Sequence, residues 1–137
     1  MGESVEQERP CVLIVEDNQV NRMVARQMLR HADIEAVEAD GGRRALELLQ
    51  DKRFDLVLMD VQMPGMDGLE TTRAIRRGDA GEHSRTVPIL ALTAYATAED
   101  EASCLNAGMD SYLSKPLAME KFLTTVRAMI EGGRERR

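Results

Sequence analysis

Residues 54–68 constrain the fold of this chain more than any other stretch. They read FDLVLMDVQMPGMDG, in which the apolar run 56–59 stops on the carboxylate Asp60. A continuous apolar run of this length is typical of a strand buried on both faces, as in a parallel sheet. Pro64 and Gly65 prevent the strand from continuing. The sequence therefore predicts that Asp60 lies at the carboxyl end of a central strand, where open α/β sheets bind their ligands.

Short apolar segments recur along the chain and alternate with segments that carry apolar residues at helical spacing. Strands are predicted at residues 11–15, 34–39, 56–59, 87–92 and 110–114. This alternation predicts an α/β fold, a flavodoxin-like doubly wound parallel sheet of five strands with five helices on its two faces. Right-handed crossovers restrict the topology, and the most polar strand, 34–39, belongs at an edge. The predicted strand order is therefore 2-1-3-4-5.

One domain accounts for most of the chain. The 137 residues, 43% of them hydrophobic, are enough to bury a core, and we place the domain at residues 10–131. Residues 1–9 are polar and lack periodicity, so we interpret them as a flexible lead or linker. Residues 132–137 are interpreted as a frayed tail. In the first helix, the apolar positions Val20, Met23, Val24, Met28 and Ala32 are predicted to form the buried stripe, with the methionines as core filler.

Charge and cysteine usage exclude several classes of function. With 24 acidic and 18 basic residues the net charge is −6, which argues against direct binding of nucleic acid. No apolar run approaches the length of a membrane span, and no signal-peptide pattern opens the chain, so we expect no membrane insertion. Cys11 and Cys104 lie far apart with no metal-ligand spacing, which indicates free thiols in a reducing, cytoplasmic setting.

Reactive side chains follow four of the five predicted strands. Glu16 and Asp17 follow the first strand, Asp60 the third, Thr93 the fourth and Lys115 the fifth. Because parallel strands end at the same edge of a sheet, we expect these side chains to meet there. A pair of acids, a third acid, a hydroxyl and a lysine at one edge is poorly explained by structure alone.

The chemistry of this edge points to phosphoryl transfer. Each pair of carboxylates at about 4 Å costs about 4 kcal/mol at an effective dielectric of about 20, and Mg²⁺ removes that cost while bridging carboxylates to phosphate. Lys115 and Thr93 can pair with phosphoryl oxygens. Asp60 is central and is therefore the best nucleophile. Glu16 and Asp17 are better suited as metal ligands, one direct and one through water.

Four motifs resemble the receiver domain of two-component response regulators. They are VEDN at 15–18, MDVQMPGMDG at 59–68, ALTA at 91–94 and YLSKP at 112–116, and the resemblance covers about residues 10–131. It implies that Asp60 accepts a phosphoryl group from a phosphohistidine on a partner. The roles it implies for the other residues are Mg²⁺ binding by Glu16, Asp17, Asp60 and the backbone carbonyl of Gln62, phosphoryl contacts by Thr93 and Lys115, reorientation of Tyr112, and a cis bond between Lys115 and Pro116.

The resemblance also implies partners. The phosphoryl donor is expected to be a histidine kinase or a histidine phosphotransfer protein, and an output domain or relay protein is expected downstream. Mn²⁺ is expected to substitute for Mg²⁺, and the chain is expected to be a monomer or a weak phosphorylation-dependent dimer. The sequences of residues 15–22 and 59–64 most resemble those of receivers attached to hybrid sensor histidine kinases. No kinase catalytic segment lies in the 137 residues, so we expect the chain only to assist its own phosphorylation and dephosphorylation.

Three alternatives remain open at this point. An aspartyl-phosphate phosphohydrolase also starts from an aspartate at a strand end, but it needs a second aspartate two residues on, where this chain has Gln62. A flavodoxin-like cofactor carrier needs a hydroxyl and glycine phosphate loop after the first strand, where Glu16 and Asp17 would repel phosphate. The third alternative is a receiver-like interaction module that works without phosphorylation.

Overall fold

The computed structural model describes residues 9–94 and 97–135, which form five strands and five helices in strict alternation. All strand pairs are parallel, and the order β2-β1-β3-β4-β5 confirms the predicted topology. A 3-10 helix, Glu82–Ser84, precedes the fourth strand. The elements are β1 Cys11–Val15, α1 Gln19–His31, β2 Glu35–Ala39, α2 Gly42–Asp51, β3 Leu56–Asp60, α3 Gly68–Arg77, β4 Ile89–Thr93, α4 Ala98–Ala107, β5 Ser111–Ser114 and α5 Met119–Glu135.

Burial of the strands explains the order of the sheet. Every residue of β1, β3 and β4 is buried, as their continuous apolar runs predicted, whereas β2 at the edge is only partly covered. Alternate side chains of the central strands enter two separate cores, one on each face of the sheet. Helices must therefore cover both faces, and the loops that join strand ends to helix starts are confined to the edges of the sheet.

Side-chain caps fix the point at which three helices begin above the carboxyl edge of the sheet. Asn18 accepts a hydrogen bond from the backbone of Asn21 at the start of α1. Asp67 and Glu70 form a reciprocal capping box on α3. Thr97 caps α4. Each cap satisfies backbone N–H groups that the first turn leaves free, so the loops between strand and helix are short and defined.

The stripe predicted for α1 is wrong at its amino-terminal half. Val20, Met23 and Val24 are 60%, 49% and 42% exposed, whereas Ala25 and Leu29 are buried. At about 100° per residue, Val24 lies about 100° and Met23 about 200° from Ala25 around the helix. The buried stripe therefore starts at Ala25, and the apolar residues before it form a bare surface instead of core filler.

Both ends of the chain differ in part from the sequence prediction. Residues 1–8 and 136–137 lie outside the described residues, and Arg9, assigned to the lead, forms ion pairs with Asp33 and Glu35. The predicted fraying from residue 132 is wrong as far as Glu135, because α5 continues to that residue. The Nε of Arg134 lies 3.1 Å from Oδ1 of Asp55 and ties the last turn to the start of β3. Among the described residues, no helix is long and apolar enough to cross a membrane.

Candidate functional site at the carboxyl edge of the sheet

The ends of β1 and β3 bring three carboxylates together. The two strands are adjacent and pair Val15 with Met59, so the residues that follow them lie over the same edge. One oxygen from each of Glu16, Asp17 and Asp60 lies within 4.8 Å of the others. Glu16 and Asp60 are buried, at 3% and 4% exposure, whereas Asp17 is exposed. The cluster is therefore buried at Glu16 and Asp60 and open to solvent at Asp17.

Backbone and side-chain bonds hold Glu16 at this position. Its N–H donates to the carbonyl of Ala39 at the end of β2, 3.1 Å away. Its carboxylate accepts a hydrogen bond from the N–H of Asn18 at 3.0 Å, and Asn21 approaches the other oxygen at 3.5 Å. The residues that cap α1 thus also orient the first acid of the cluster.

Lys115 connects the two buried acids. Its Nζ lies 2.9 Å from Oε1 of Glu16 and 3.0 Å from Oδ1 of Asp60. The backbone N–H of Lys115 donates to the carbonyl of Thr93 at 2.8 Å, which holds the end of β5 against the end of β4. The Lys115–Pro116 peptide bond is cis. One ammonium group therefore serves two carboxylates, and a third carboxylate stands beside them.

The loop after β3 closes tightly beneath Asp60. The N–H of Gln62 approaches Oδ1 of Asp60 at 3.4 Å. The N–H of Gly68, at the start of α3, donates to the carbonyl of Val61 at 3.0 Å. A Cβ added at Gly68 would collide with the backbone carbonyl oxygen of Asp60, so only glycine fits there without a shift of the backbone.

The electrostatics of the cluster separate the two buried acids. Burial raises the pKa of Asp60 to about 6, and the negative charge of Glu16 adds to this while Lys115 opposes it. Burial also acts to raise the pKa of Glu16, but hydrogen bonds from Lys115 and the backbone of Asn18 outweigh it and hold this pKa below its ordinary value. Burial acts to lower the pKa of Lys115, and its bonds to Glu16 and Asp60 raise it overall. Asp60 is the acid that most needs a further cation.

Thr93 and Tyr112 lie on the two strands beyond β3. Thr93 ends β4 and is buried at 3% exposure. Tyr112 pairs with Ala91 across β4 and β5 and is half-buried. The neighbouring carboxylate of Glu101 on α4 is the main cause of the raised pKa of Tyr112.

The donor set fits a hard divalent cation. Three carboxylates against one ammonium leave a surplus of negative charge, and carboxylate oxygens are the ligands that Mg²⁺ prefers. Both oxygens of Glu16 accept hydrogen bonds from the protein, whereas Asp17 faces solvent. Fold and site together define a class: a flavodoxin-like α/β domain with an acidic, magnesium-type site at its carboxyl edge.

Comparison with known proteins places the chain within this class. The family model described as "Response regulator receiver domain" matches residues 12–127. The chain belongs to that family, and it is a receiver domain of two-component signalling. Its five-stranded fold and acidic site are those of a phosphoacceptor receiver.

Curated relatives are of two kinds. The sensor protein GacS of Pseudomonas syringae pv. syringae is 42% identical over 126 residues, which cover 92% of this chain and 14% of that protein. The polar-differentiation response regulator DivK of Brucella anthropi is 34% identical over 119 residues, which cover 87% of this chain and 94% of DivK. The chain therefore spans about one seventh of the sensor proteins it matches and nearly all of the free-standing regulator.

Solved structures show the same fold. The receiver domain of a sensor histidine kinase from Pseudomonas aeruginosa PAO1, solved with a magnesium ion coordinated in its active site cleft, is 38% identical with a TM-score of 0.82. The match covers 90% of this chain and 99% of that one. The chemotaxis protein CheY4 of Vibrio cholerae has a TM-score of 0.82 at 32% identity, covering 89% of this chain and 99% of that one.

Two residues beside the site were missed by the sequence reasoning. Arg22 of α1 donates to the backbone carbonyl of Glu16, and the carboxylate of Glu101 on α4 raises the pKa of Tyr112. A signal existed for Arg22, since it closes the stretch 15–22 that carries part of the family resemblance. No signal marked Glu101 among the three acids in the first turn of α4.

Proposed function

We propose that this receiver domain accepts a phosphoryl group on Asp60 from a phosphohistidine of a partner and changes conformation in response. The observation that carries the proposal is the cluster of Glu16, Asp17 and Asp60, in which Lys115 bridges Glu16 and Asp60. A purely structural role would favour neutralised acids, whereas this edge keeps more carboxylates than cations. Such an excess of negative charge is useful when the site must attract a metal ion, which in turn binds a phosphoryl group.

In the proposed step a carboxylate oxygen of Asp60 attacks phosphorus. The new P–O bond forms as the P–N bond to the donor imidazole breaks, and the leaving nitrogen takes up a proton. Lys115, within 3.0 Å of Asp60, is in position to pair with a phosphoryl oxygen on the same side. The hydroxyl of Thr93, at the end of the neighbouring strand, is assigned to another phosphoryl oxygen.

The metal ligands in this proposal are Glu16, Asp17, Asp60 and the backbone carbonyl of Gln62. Mg²⁺ would neutralise the charge that develops on the phosphoryl oxygens. Because the oxygens of Glu16 are already engaged by Lys115 and Asn18, we assign Glu16 to a water-mediated contact and the exposed Asp17 to a direct one. Mn²⁺ should replace Mg²⁺, since both accept octahedral oxygen ligands.

Incubation with a small acyl phosphate tests the proposal without a partner. The full chain is treated with the phosphodonor in Mg²⁺, in Mn²⁺ and in excess chelator, and intact mass is read over time. We expect one phosphoryl group in either metal and almost none in chelator. An unmodified chain under all conditions would favour an interaction module, and continuous turnover of a phosphate ester would favour a phosphohydrolase.

We propose that the donor docks on the bare apolar surface of α1, formed by Val20, Met23 and Val24. Val24 also lines a cavity of about 200 Å³, together with Leu117 and with Glu16 and Lys115 of the acidic site. The occupant we assign is the apolar side of the helix that carries the phosphohistidine. A histidine able to reach Asp60 must come from a segment that lies over this edge of the sheet.

Charge substitutions separate docking from chemistry. Met23→Asp should reduce transfer from a phosphorylated histidine phosphotransfer protein that labels the wild type, and should leave labelling by the small donor unchanged. Leu105→Asp is the matched control, because Leu105 is equally exposed, at 49%, but lies on α4. Equal loss of transfer in both variants would argue against α1 as the docking surface.

The output is proposed to depend on Tyr112. A phosphoryl group contacted by Thr93 would draw the end of β4 towards Asp60, and Tyr112 would leave Glu101 to fill the space behind Thr93. This would change the surface formed by α4, β5 and α5, where we place the output or relay partner. Crystal structures with and without a phosphoryl mimic test it, and an unmoved Tyr112 in both would rule it out.

The remaining parts of the proposal concern setting and assembly. Cys11 and Cys104 are both free and buried, in keeping with a reducing, cytoplasmic setting. We propose a monomer or a weak dimer that forms on phosphorylation, to be checked by light scattering before and after labelling. The chain is similar both to DivK, of which it covers 94%, and to GacS, of which it covers 14%.

A further inference from the structure

Arg22 is the least exposed arginine of α1, and it contacts the backbone of the loop between β1 and α1. Its side chain is 15% exposed, compared with 45% for Arg26 one turn later. Its Nη1 donates to the backbone carbonyl of Glu16 at 2.7 Å, and its Nε donates to Oε1 of Glu38 on β2 at 3.0 Å. One guanidinium thus joins the β1–α1 loop, helix α1 and strand β2.

The carbonyl that Arg22 holds belongs to the peptide between Glu16 and Asp17. The N–H of Glu16 is already fixed by Ala39, 3.1 Å away. That N–H belongs to the preceding peptide, between Val15 and Glu16, so the peptides on both sides of the Glu16 Cα are held. Rotation of the second peptide, which Arg22 holds, would turn the Asp17 side chain relative to Glu16. The direction of Glu16 therefore depends on both planes, and the direction of Asp17 depends on the plane that Arg22 holds.

We propose that Arg22 is a positioning residue that orients Glu16 and Asp17 for the metal ion. The inference rests on the proposed function and adds a residue to it. Arg22 does not touch Asp60, and its charge is balanced by Glu38, which hydrogen bonds from Arg26 and Arg22 keep ionised at a lowered pKa. Its effect on the metal is therefore geometric.

The sign of the effect distinguishes geometry from charge. A positive charge near a cation site weakens cation binding, so removal of Arg22 would tighten Mg²⁺ binding if charge dominated. If Arg22 instead orients the metal ligands, its removal should weaken Mg²⁺ binding. Outer-shell partners of metal ligands typically change metal affinity by about 10–100-fold, and we expect about tenfold weaker Mg²⁺ binding here.

The test compares Arg22→Met with Arg26→Met in the full, metal-free chain. Arg26 pairs with the same Glu38 but does not reach Glu16, so it controls for the loss of that ion pair. Magnesium chloride alone is titrated while the amide NMR signals of Asp17 and Asn18 are followed. We expect about tenfold weaker binding for Arg22→Met and wild-type binding for Arg26→Met.

A second readout excludes a merely structural role. In labelling by the small phosphodonor, Arg22→Met should need about tenfold more Mg²⁺ for the half-maximal rate and should recover the wild-type rate at saturating Mg²⁺. If Arg22→Met folds poorly, Arg22→Lys, which keeps one donor, should show an intermediate requirement. Unchanged or tighter binding in the Arg22 variants, or equal weakening in Arg26→Met, overturns the inference. A wild type that binds no Mg²⁺ overturns the proposed function itself.

Discussion

A buried aspartate lies at each end of strand β3, and the two differ in the balance of charge around them. At its amino end, Asp55 accepts a hydrogen bond from the N–H of Cys11 at 2.9 Å and meets the guanidinium of Arg134 at 3.1 Å and 3.4 Å. At its carboxyl end, Asp60 shares the ammonium of Lys115 with Glu16 and has Asp17 beside it. One edge matches one carboxylate with one cation, and the other sets three carboxylates against one.

The difference separates a structural ion pair from a reactive site on the same strand. A matched pair with a planar, bidentate donor leaves no demand for a further ligand, so it stabilises the fold. A cluster with surplus negative charge and a pKa raised to about 6 at Asp60 costs stability and is relieved when a cation arrives. Burial alone does not mark a functional carboxylate, and the ratio of acids to cations around it is the better sign.

The largest expected effect compares Asp60→Asn with Asp55→Asn. Asp60→Asn should take no phosphoryl group from a small donor in Mg²⁺, because the nucleophile is lost. Asp55→Asn should be labelled as fully as the wild type. Intact mass over a time course checks both, and labelling of Asp60→Asn would show that the acceptor is another residue.

A stability measurement should show the structural side of the comparison. Arg134→Met leaves Asp55 without its guanidinium and should lower the free energy of unfolding by about 2 kcal/mol, less than the about 3–5 kcal/mol of a fully buried pair, because the Arg134 side chain is 37% exposed. Arg127→Met, exposed on the same helix, is the matched control and should change little. Urea unfolding followed by circular dichroism measures this, while phosphoryl labelling should be the same in both variants.

Asp17→Asn should weaken metal binding without weakening the fold. Removing one of three crowded acids lowers Mg²⁺ affinity by about tenfold, or about 1.4 kcal/mol. It also relieves repulsion, so the metal-free variant should melt no lower than the wild type. A titration with Mg²⁺ and a melting curve in chelator decide this, and a clear drop in melting temperature would make Asp17 structural like Asp55.

The smallest expected effect is a dependence of stability on pH. The folded pKa of Asp60, about 6, is above its unfolded value, so between about pH 4 and 6 the folded state binds more protons at this group. The contribution of Asp60 to stability must then fall as pH rises through this window. Asparagine does not titrate, so the stability of metal-free Asp60→Asn relative to wild type should grow between about pH 4 and 6 and then stay constant. We expect about 1 kcal/mol. Glu16 is present in both proteins, so its own titration largely cancels in the comparison. A difference between the two proteins that does not change with pH would contradict the raised pKa.

The fold and the membership of the acidic cluster could be predicted because both follow from short-range patterns. Alternation of strands and helices gave the sheet order, and a parallel sheet brings the ends of its strands to one edge. The extension of α5 was missed because it depends on a contact between Arg134 and Asp55, 79 positions apart, which no periodicity reveals.

The error in α1 and the unpredicted bond from Lys115 to Glu16 have similar causes. Val20, Met23 and Val24 are apolar at helical spacing, and only the position of the helix against the sheet tells which apolar side is buried. The strand pattern predicts that Lys115 lies at this edge, whereas its bond to Glu16 can be found only from the side-chain geometry. The raised pKa of Asp60 depends on the same geometry.

The contact between Gly68 and the carbonyl of Asp60 couples the acceptor mechanically to α3. Gly68 has no side chain, so its backbone lies directly against the Asp60 carbonyl. A displacement of the Asp60 peptide is therefore transmitted to the first turn of α3 without a change of side-chain rotamer. The end of β3 and the start of α3 should therefore move together. An alanine at position 68 would act as a wedge between them, holding the acceptor loop displaced before any phosphoryl group arrives.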